Sequence, residues 1–332
     1  MEFNQIIKDL KAKNYKPIYF LFGEEEYFID KISDYIEEHV LDENEKEFNQ
    51  TVLYGLDTDT VSIDAEAKRF PMMAQYNVVI IKEAQNLKNW EVLENYFKNP
   101  SKSTILVFNH KFKKPDGRSK ALKAVKQNSV YFESKKLYEN QVITWLEQLV
   151  RANGFNIDPR ASLFMVESVG YELSKLSNEA SKMFINLKPG DRIDASFIEQ
   201  NIGVSKDYNV FELTNALGNK NVFKANKIIQ HFGNNEKAYP LPLILPSIYR
   251  FFSQLLLFYS AKTMDQGRLA SVMKVNPYFV KDFKKYAPNY SVKKIARIMS
   301  ALRKADLRSK GVGDSASSNH DILKELVFEI LH

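Results

Sequence analysis

The segment closest to an arrangement for phosphate chemistry begins at Gly23, which follows a short apolar run. A working phosphate-binding loop needs a second glycine, then Lys, then Ser or Thr, because backbone N–H groups, an ammonium and a hydroxyl must meet the phosphates and Mg²⁺. The three corresponding positions hold Phe28, Ile29 and Asp30. Residues 24–26 are all Glu, where a polyphosphate would need cations. The sequence therefore predicts a loop of the phosphate-binding type that has lost its nucleotide site.

The acid that would assist such a site is replaced as well. The apolar run Val78–Ile81 resembles the Walker B strand of ATPases, but Lys82 and Glu83 follow it where ATPases have Asp and Glu. Loss of that Asp removes a principal partner of Mg²⁺. We therefore expect no catalytic residue, no cofactor and no metal. On these residues alone, an unrelated α/β domain is an open alternative.

Two basic stretches lie on a chain whose formal net charge is +6. Residues 111–126 carry seven Lys or Arg against the single Asp116, and residues 276–310 carry ten against two Asp. Local basic patches indicate a polyanion partner such as nucleic acid. The alternative for each is a solvated helix face, and the sequence leaves both interpretations open.

Composition is that of an ordinary globular protein, with 44% hydrophobic and 27% charged residues. The lack of cysteine excludes disulfides, cysteine-based zinc sites and thiol catalysis. The longest apolar run, Phe251–Ala261, is about half of the roughly 20 residues that a membrane span needs. The polar start, Met1–Asn4, does not have the basic segment of a signal peptide. We therefore expect a cytoplasmic protein.

The first third of the chain alternates strand-like and helix-like segments. Buried strands are predicted at Ile18–Phe22, Val52–Gly55, Val78–Ile81 and Thr104–Phe108. Helices are predicted between them, at Phe28–Ile36, at Ile63–Phe70 (ending before Pro71) and at Trp90–Phe97. Short buried strands separated by helices favour a parallel sheet covered on both faces.

From about Tyr138 the pattern is helical, and no further strand is predicted. The predicted helices are 140–153, 159–169, 172–187, 196–202, 210–217, 222–232, 243–262, 267–273, 277–286, 291–309 and 320–331. The fold class is therefore an α/β N-terminal domain of the P-loop NTPase type at residues 1–137, a small helical domain at 138–205 and an all-α C-terminal domain at 206–332.

Five segments, in order and spacing, resemble the delta-subunit family of bacterial DNA polymerase III clamp loaders. They are the strand, glycine and acid of Pro17–Glu25, the proline, apolar pair, turn and Val-rich strand of Phe70–Ile81, the Gly–x–x–Leu–x–x–Leu–x–x–Glu–x–x–Lys pattern of Gly170–Lys182, the helix Val210–Leu217, and the Ala-Asp–x–x–x–Lys-Gly of Ala305–Gly311. Each segment alone also fits plain core packing. Together with the lost nucleotide site, they identify the chain as a member of this family over residues 1–332.

The resemblance implies an AAA+-like fold in which residues 138–205 form a lid and residues 206–332 a collar. It implies a non-catalytic subunit of the DNA-directed DNA polymerase holoenzyme, a nucleotidyltransferase complex of DNA replication. Its partners would be the beta sliding clamp, which it would bind and open, the tau/gamma and delta-prime loader subunits, and primed DNA. The rival functions are an active AAA+ ATPase, a stand-alone nucleic-acid-binding protein and an unrelated helical scaffold.

By the same resemblance, the clamp contact is an apolar pair at the tip of the helix before the third strand. This pair matches Met72 and Met73, with Phe70 and Pro71 setting the angle of the tip. Many family members have Leu-Phe or Phe-Phe instead, whereas methionine is flexible and fills irregular pockets. The alternative is that at least one of the two methionines belongs to a core.

The collar offers two further candidates. An apolar face suits either ring contacts with neighbouring subunits or an internal core: Ile244, Leu245, Ile248, Phe251, Phe252, Leu255 and Leu256. Lys293, Lys294 and Arg297, at i, i+1 and i+4 of one helix, are candidates for contact with DNA phosphates or acidic partners. No base-reading motif is visible, so any DNA contact should be independent of base sequence.

Overall fold

The computed structural model describes residues 2–188, 190–203, 205, 207–312 and 317–332 of the 332-residue chain. Residues 1–137 form one compact unit and residues 138–332 a second. The further division of the second unit at 205/206 stays a prediction, and Lys206 at that boundary lies outside the described residues.

The N-terminal unit is built on a five-stranded sheet whose paired strands are all parallel. The strands are β1 (Ile18–Gly23), β2 (Gln50–Tyr54), β3 (Asn77–Lys82), β4 (Thr104–Lys111) and β5 (Val130–Ser134), in the spatial order β2-β3-β4-β1-β5. The four strands predicted from the sequence are confirmed, although β2, at the edge of the sheet, is only partly buried. The fifth, β5, was missed because it is not a continuous apolar run: its burial alternates along Val-Tyr-Phe-Glu-Ser.

Helices cover both faces of this sheet. They are α1 (Phe3–Lys11), α2 (Glu26–His39), α3 (Glu43–Asn49), α4 (Thr60–Ala67), α5 (Glu94–Lys98) and α6 (Lys120–Asn128). Successive side chains of a strand point to opposite faces, so Phe20 and Phe22 of β1 enter a core with α4, α5 and α6, while Tyr19 and Leu21 enter a core with α1 and α2. The parallel sheet with two covered faces is therefore confirmed.

Several details of this unit differ from the prediction, which did not include the helices α1 and α6. The helix α4 ends at Ala67, not at Phe70, and a loop follows it. The helix α3 was not predicted, because its sequence Glu-Asn-Glu-Lys-Glu-Phe-Asn contains one apolar residue and so has no hydrophobic period. Its first turn is held by capping instead, since the Asp42 N–H donates to Glu45 Oε2 at 3.0 Å.

The second unit is mainly helical. Its helices are α7 (Glu139–Ala152), α8 (Pro159–Val169), α9 (Leu173–Ile185), α10 (Ala195–Ile202), α11 (Val210–Gly218), α12 (Val222–Asn234), α13 (Leu241–Ala261), α14 (Gln266–Met273), α15 (Val280–Tyr286), α16 (Val292–Ser309) and α17 (Asn319–Leu331). The prediction of no further strand is wrong, because β6 (Asn156–Ile157) pairs in parallel with β7 (Arg192–Ile193). Two-residue strands are too short to show a period.

The long helix α13 lies at the centre of the C-terminal core. Six of the seven apolar residues proposed for its face are buried there, which makes that face an internal core, and the seventh, Leu256, is exposed. By length and composition, the helix α13 could also cross a membrane. The apolar run Phe251–Ala261 is only the second half of this helix. A single helix of this kind is weak evidence, since core helices of globular proteins pass the same test.

Candidate functional site

The loop between α4 and β3 starts and ends at fixed points. The last carbonyl groups of a helix have no partner within the helix, and here side chains from elsewhere supply donors. The Ala67 carbonyl accepts from Thr104 Oγ1 at 2.9 Å and from Tyr96 Oη at 3.2 Å. The Glu66 carbonyl accepts from Asn77 Nδ2 at 2.9 Å, at the start of β3. These bonds end α4 early and place the apolar residues that follow on a loop.

Three of the four predicted contact residues project from this loop into solvent. Phe70 is 85% exposed, Met72 is 57% exposed and Met73 is fully exposed, while Pro71 is half-buried. The expectation that they form a helix tip is corrected, because the helix ends before them. The alternative of a core methionine does not hold for either Met72 or Met73. The loop therefore presents a cluster of apolar side chains of the kind that marks protein-binding sites.

The main chain of this loop is held by Asn49, the last residue of α3. Its side chain is 1% exposed. Oδ1 accepts from the Met72 N–H at 2.5 Å, while Nδ2 donates to the Met72 carbonyl at 3.0 Å and to the Glu45 carbonyl at 3.0 Å. Next to this anchor, Met73 adopts a left-handed φ of 56°, which is uncommon outside glycine. Sequence reasoning missed Asn49, since an Asn at the end of an acidic helix gives no signal of a distant partner.

The loop after β1, which stands in the place of a phosphate-binding loop, is held to the end of β5 by hydrogen bonds. Gly23 has φ 136°, and a Cβ there would lie 2.0 Å from the Ser134 carbonyl oxygen. Ser134 Oγ donates to the Glu25 carbonyl at 2.5 Å, and the Glu25 N–H donates to the Ser134 carbonyl at 3.3 Å. The end of β1 is thereby tied to the end of β5, and the loop follows the path that these bonds set.

The start of α2, where a phosphate would bind, is occupied by the chain itself. The Glu25 carboxylate accepts from the Tyr27 N–H at 3.3 Å, in the place that an anion takes at a helix N-terminus. Lys111 Nζ lies 2.7 Å from Asp30 and 3.6 Å from Glu26. At the two positions before Asp30, Ile29 is buried and the Phe28 ring packs 4.8 Å from that of Phe3.

Lys82, which stands at the position of the Walker B acid, forms an ion pair within the chain. Lys82 Nζ lies 3.0 Å from Glu37. Burial acts to lower the pKa of Lys82, but the hydrogen bond and charge of Glu37 outweigh it and raise that pKa above its usual value. Burial, and then the charge of Asp30, raises the pKa of the nearby Asp34 carboxyl. Among the described residues, no group of three or more His, Cys, Asp or Glu could hold a metal ion.

Three cations of the basic stretch 111–126 form ion pairs within the chain. Lys111 pairs with Asp30, Lys114 Nζ lies 2.7 Å from Glu133, and Arg118 lies 2.9 Å from Asp116. Paired charges of this kind favour the solvated-face interpretation over a dedicated polyanion site.

The three cations predicted on α16 do not act alike. Lys293 and Arg297 are exposed, whereas Lys294 is half-buried and its Nζ donates to the Glu329 carbonyl at 2.8 Å. Lys294 and Arg297 line a groove together with residues of α12 and α17, and that groove also contains Glu325 and Glu329. Because Lys294 is engaged with Glu329, the exposed pair Lys293 and Arg297 is the better candidate for contact with a polyanion.

A partly buried charge network joins α13 to α7 and α8 in the second unit. Arg250 lies 2.8 Å from Glu167 and 2.7 Å from Glu139, and it also contacts the Tyr171 hydroxyl. Burial acts to lower the pKa of Arg250, but the Glu167 carboxylate and the other partners raise it. The network borders a cavity of about 110 Å³ that has aromatic walls. Sequence reasoning did not identify this network.

The comparisons with known proteins agree over most of the chain. A family model described as "DNA polymerase III, delta subunit" matches residues 19–135, and one described as "DNA polymerase III delta subunit, C-terminal domain" matches residues 207–327. The DNA polymerase III subunit delta of Bacillus subtilis is 26% identical over 318 residues, which cover 91% of this chain and 90% of that protein.

Solved structures support the fold. A DNA clamp loader delta protein of Bacillus subtilis matches with a TM-score of 0.56 and 23% identity, over 99% of each chain. A DNA polymerase III gamma subunit-related protein of Thermotoga maritima covers 98% of each chain at 12% identity, and its TM-score of 0.29 is too low to carry an argument.

Proposed function

This chain belongs to the DNA polymerase III delta-subunit family, and we propose that it binds the beta sliding clamp through Phe70, Pro71, Met72 and Met73 and holds the clamp open for loading onto primed DNA. The observation that carries this proposal is the loop of exposed apolar side chains on an anchored backbone. Few interface residues carry most of a binding energy, and those residues are buried by the partner at the centre of the contact. A loop whose backbone is already held loses less conformational entropy on binding.

Methionine suits the proposed contact in a particular way. Its unbranched, polarizable side chain adapts to an irregular pocket and makes favourable contacts with aromatic rings. Phe70 adds a rigid ring beside the two flexible side chains. The combination fits an apolar pocket on the clamp better than a flat polar surface.

We infer that the chain hydrolyses no ATP. Glu25 caps the start of α2, where a nucleotide phosphate would bind. Lys82 stands at the position of the acid that would bind Mg²⁺, and it pairs with Glu37. Hydrolysis would then be the task of tau/gamma partners, with delta-prime as the other ring member, in a cytoplasmic replisome. An active AAA+ ATPase is the rival that these contacts oppose.

The exposed side of α13 is our candidate for the contact with neighbouring subunits. Leu243, Tyr249, Leu256 and Leu257 are exposed there, while the opposite side is buried in the C-terminal core. Exposed apolar residues in rows along one helix are typical of surfaces that a partner covers. For contact with primed DNA we propose Lys293 and Arg297, since Lys294 is engaged with Glu329.

The test is a binding measurement with the beta sliding clamp of the same organism. The purified full chain and the clamp are mixed for size-exclusion chromatography and calorimetry. We expect a co-eluting complex and saturable binding without added nucleotide. If the chain shows no saturable binding to this clamp, the proposed clamp contact is wrong.

A further inference from the structure

The structure assigns a positioning role to Asn49: we propose that its side chain holds the Met72 main chain so that Met72 and Met73 face outward, and that clamp affinity depends on this hold. The inference rests on the proposed function for its binding arm only. Asn49 is not expected to touch the clamp, since its side chain is buried.

The hydrogen bonds of Asn49 show why this residue type fits. A primary amide has one acceptor oxygen and two N–H donors. The oxygen takes the Met72 N–H, one donor reaches the Met72 carbonyl and the other reaches the Glu45 carbonyl of the same helix. The Asn49 side chain thus accepts one hydrogen bond from the Met72 main chain and donates one to it, as the main chain of a paired β-strand would. The reverse assignment of oxygen and nitrogen would face N–H against N–H, so this pattern also fixes the amide orientation.

Asn49 lies at the junction of α3 and β2, so its side-chain bonds connect the methionine loop to the sheet. It is the last residue of α3, and the edge strand β2, which pairs with β3, begins at the next residue. Met72 lies 23 residues further on, in a loop whose Phe70 and Met73 side chains are in solvent. Those side chains gain little from packing in the free chain. The pair of bonds to Met72 is therefore a direct restraint on the direction of the methionines.

The closest matched control is Asn128, the last residue of α6. Its Nδ2 donates to the Ala124 carbonyl at 3.3 Å, four residues earlier, and to the Phe97 carbonyl at 3.0 Å on another segment. This is the same kind of bridge from a helix end, although Asn128 is more exposed and its bonds do not involve the methionine loop. Asn128→Ala should therefore leave clamp affinity unchanged.

The first arm of the test needs no partner. Amide hydrogen exchange in the wild-type chain should show the Met72 N–H exchanging at least about tenfold slower than an unprotected loop amide. In Asn49→Ala, which removes the oxygen that accepts from the Met72 N–H, this protection should be lost. A Met72 amide that exchanges at the unprotected rate in the folded wild-type chain would overturn the inference without any variant.

The second arm measures clamp affinity. We expect Asn49→Ala to weaken binding by about tenfold, which corresponds to about 1.4 kcal/mol. In a background that carries both Met72→Ala and Met73→Ala the same change should weaken binding by much less, because a positioning residue loses its effect when the side chains that it positions are gone. An equal loss in both backgrounds would indicate a general structural role and would overturn the inference.

The two hypotheses fail separately. If the wild-type chain does not bind the clamp, the proposed function fails, while the exchange arm still decides whether Asn49 holds the loop. If the wild-type chain binds and folded Asn49→Ala binds equally well, only the Asn49 inference fails.

Discussion

Lys294 Nζ donates a 2.8 Å hydrogen bond to the main-chain carbonyl of Glu329, near the end of α17. Carbonyls in the last turn of a helix lack internal partners and carry partial negative charge, so a lysine is favourable there. Within one helical turn, α16 thus carries a cation used in folding and two cations, Lys293 and Arg297, that face solvent. Residues that form one basic group in the sequence divide into two roles.

This division gives the first prediction. Lys294→Ala should lower the melting temperature, because it removes a helix-terminal bond worth about 1 kcal/mol, and it should change DNA binding little. Lys293→Ala with Arg297→Ala should leave the melting temperature unchanged and weaken association of the assembled loader with DNA. The loss should be largest at low salt, since counterion release supplies the affinity. Equal DNA affinity of this double variant and the wild type across a salt series would remove these two residues from the DNA contact.

The second prediction concerns the methionine loop. Met72→Ala with Met73→Ala should reduce clamp affinity by about a thousandfold, because two interface anchors at about 2 kcal/mol each amount to almost three decades at about 1.4 kcal/mol per decade. Calorimetric titration with the clamp measures this loss. The melting temperature should stay within about a degree or two, since neither side chain fills a core.

A matched control for the loop is Ile185→Ala, which removes a similarly exposed apolar side chain from the second unit. It should leave clamp affinity unchanged. If the methionine double variant bound the clamp as well as the control does, the loop would not be the contact.

The third prediction is that ATP does not bind. A titration with a fluorescent ATP analogue and Mg²⁺ should give no saturable signal up to millimolar concentrations, because Glu25 caps α2 and Lys111 pairs with Asp30. An ATP-hydrolysing loader subunit from the same organism serves as the positive control. Micromolar binding by this chain would contradict the assignment of a lost site.

The fourth prediction concerns Arg250. Arg250→Met should destabilise the second unit by about 3–5 kcal/mol, because it leaves the largely buried Glu167 carboxylate without its cation. Arg250→Met combined with Glu167→Met should be much milder, since both charges are removed together. Urea unfolding monitored by circular dichroism compares the two. Arg268→Ala, at an exposed ion pair with Asp265, is the control and should cost almost nothing. A double variant as unstable as the single one would show that the charge balance of this pair does not matter.

The sequence specifies most of the fold because burial dominates it. Short continuous apolar runs such as Val78–Ile81 favour strands covered on both faces. The periodic apolar stripe of α8 ends at Gly170, which caps the helix. Two of the missed elements lack those signals, whereas α1 and α6, which were also missed, each have one buried side. The helix α3 has no apolar period, and β5 includes a glutamate, so neither stands out locally.

The candidate site was predictable in location but not in form. Phe70 to Met73 could be found from their resemblance to a family pattern. Whether they end a helix or form a loop depends on Asn77 and Thr104, whose side chains donate hydrogen bonds to the last carbonyls of α4. The bonds of Asn49 and Arg250 join residues 23 and 83 positions apart. Contacts at such separation leave no periodic trace in a single sequence.

The closure of the loop after β1 has a consequence for how the chain would behave through a loading cycle. Admitting a phosphate would require release of the Glu25 cap, the Ser134 bonds and the Lys111–Asp30 pair at once. No single substitution would therefore restore a nucleotide site. If these contacts persist in the loader that we propose, this part of the chain would not respond to the ratio of ATP to ADP in the cell. It would then serve as a fixed reference for the movement of ATP-driven neighbours.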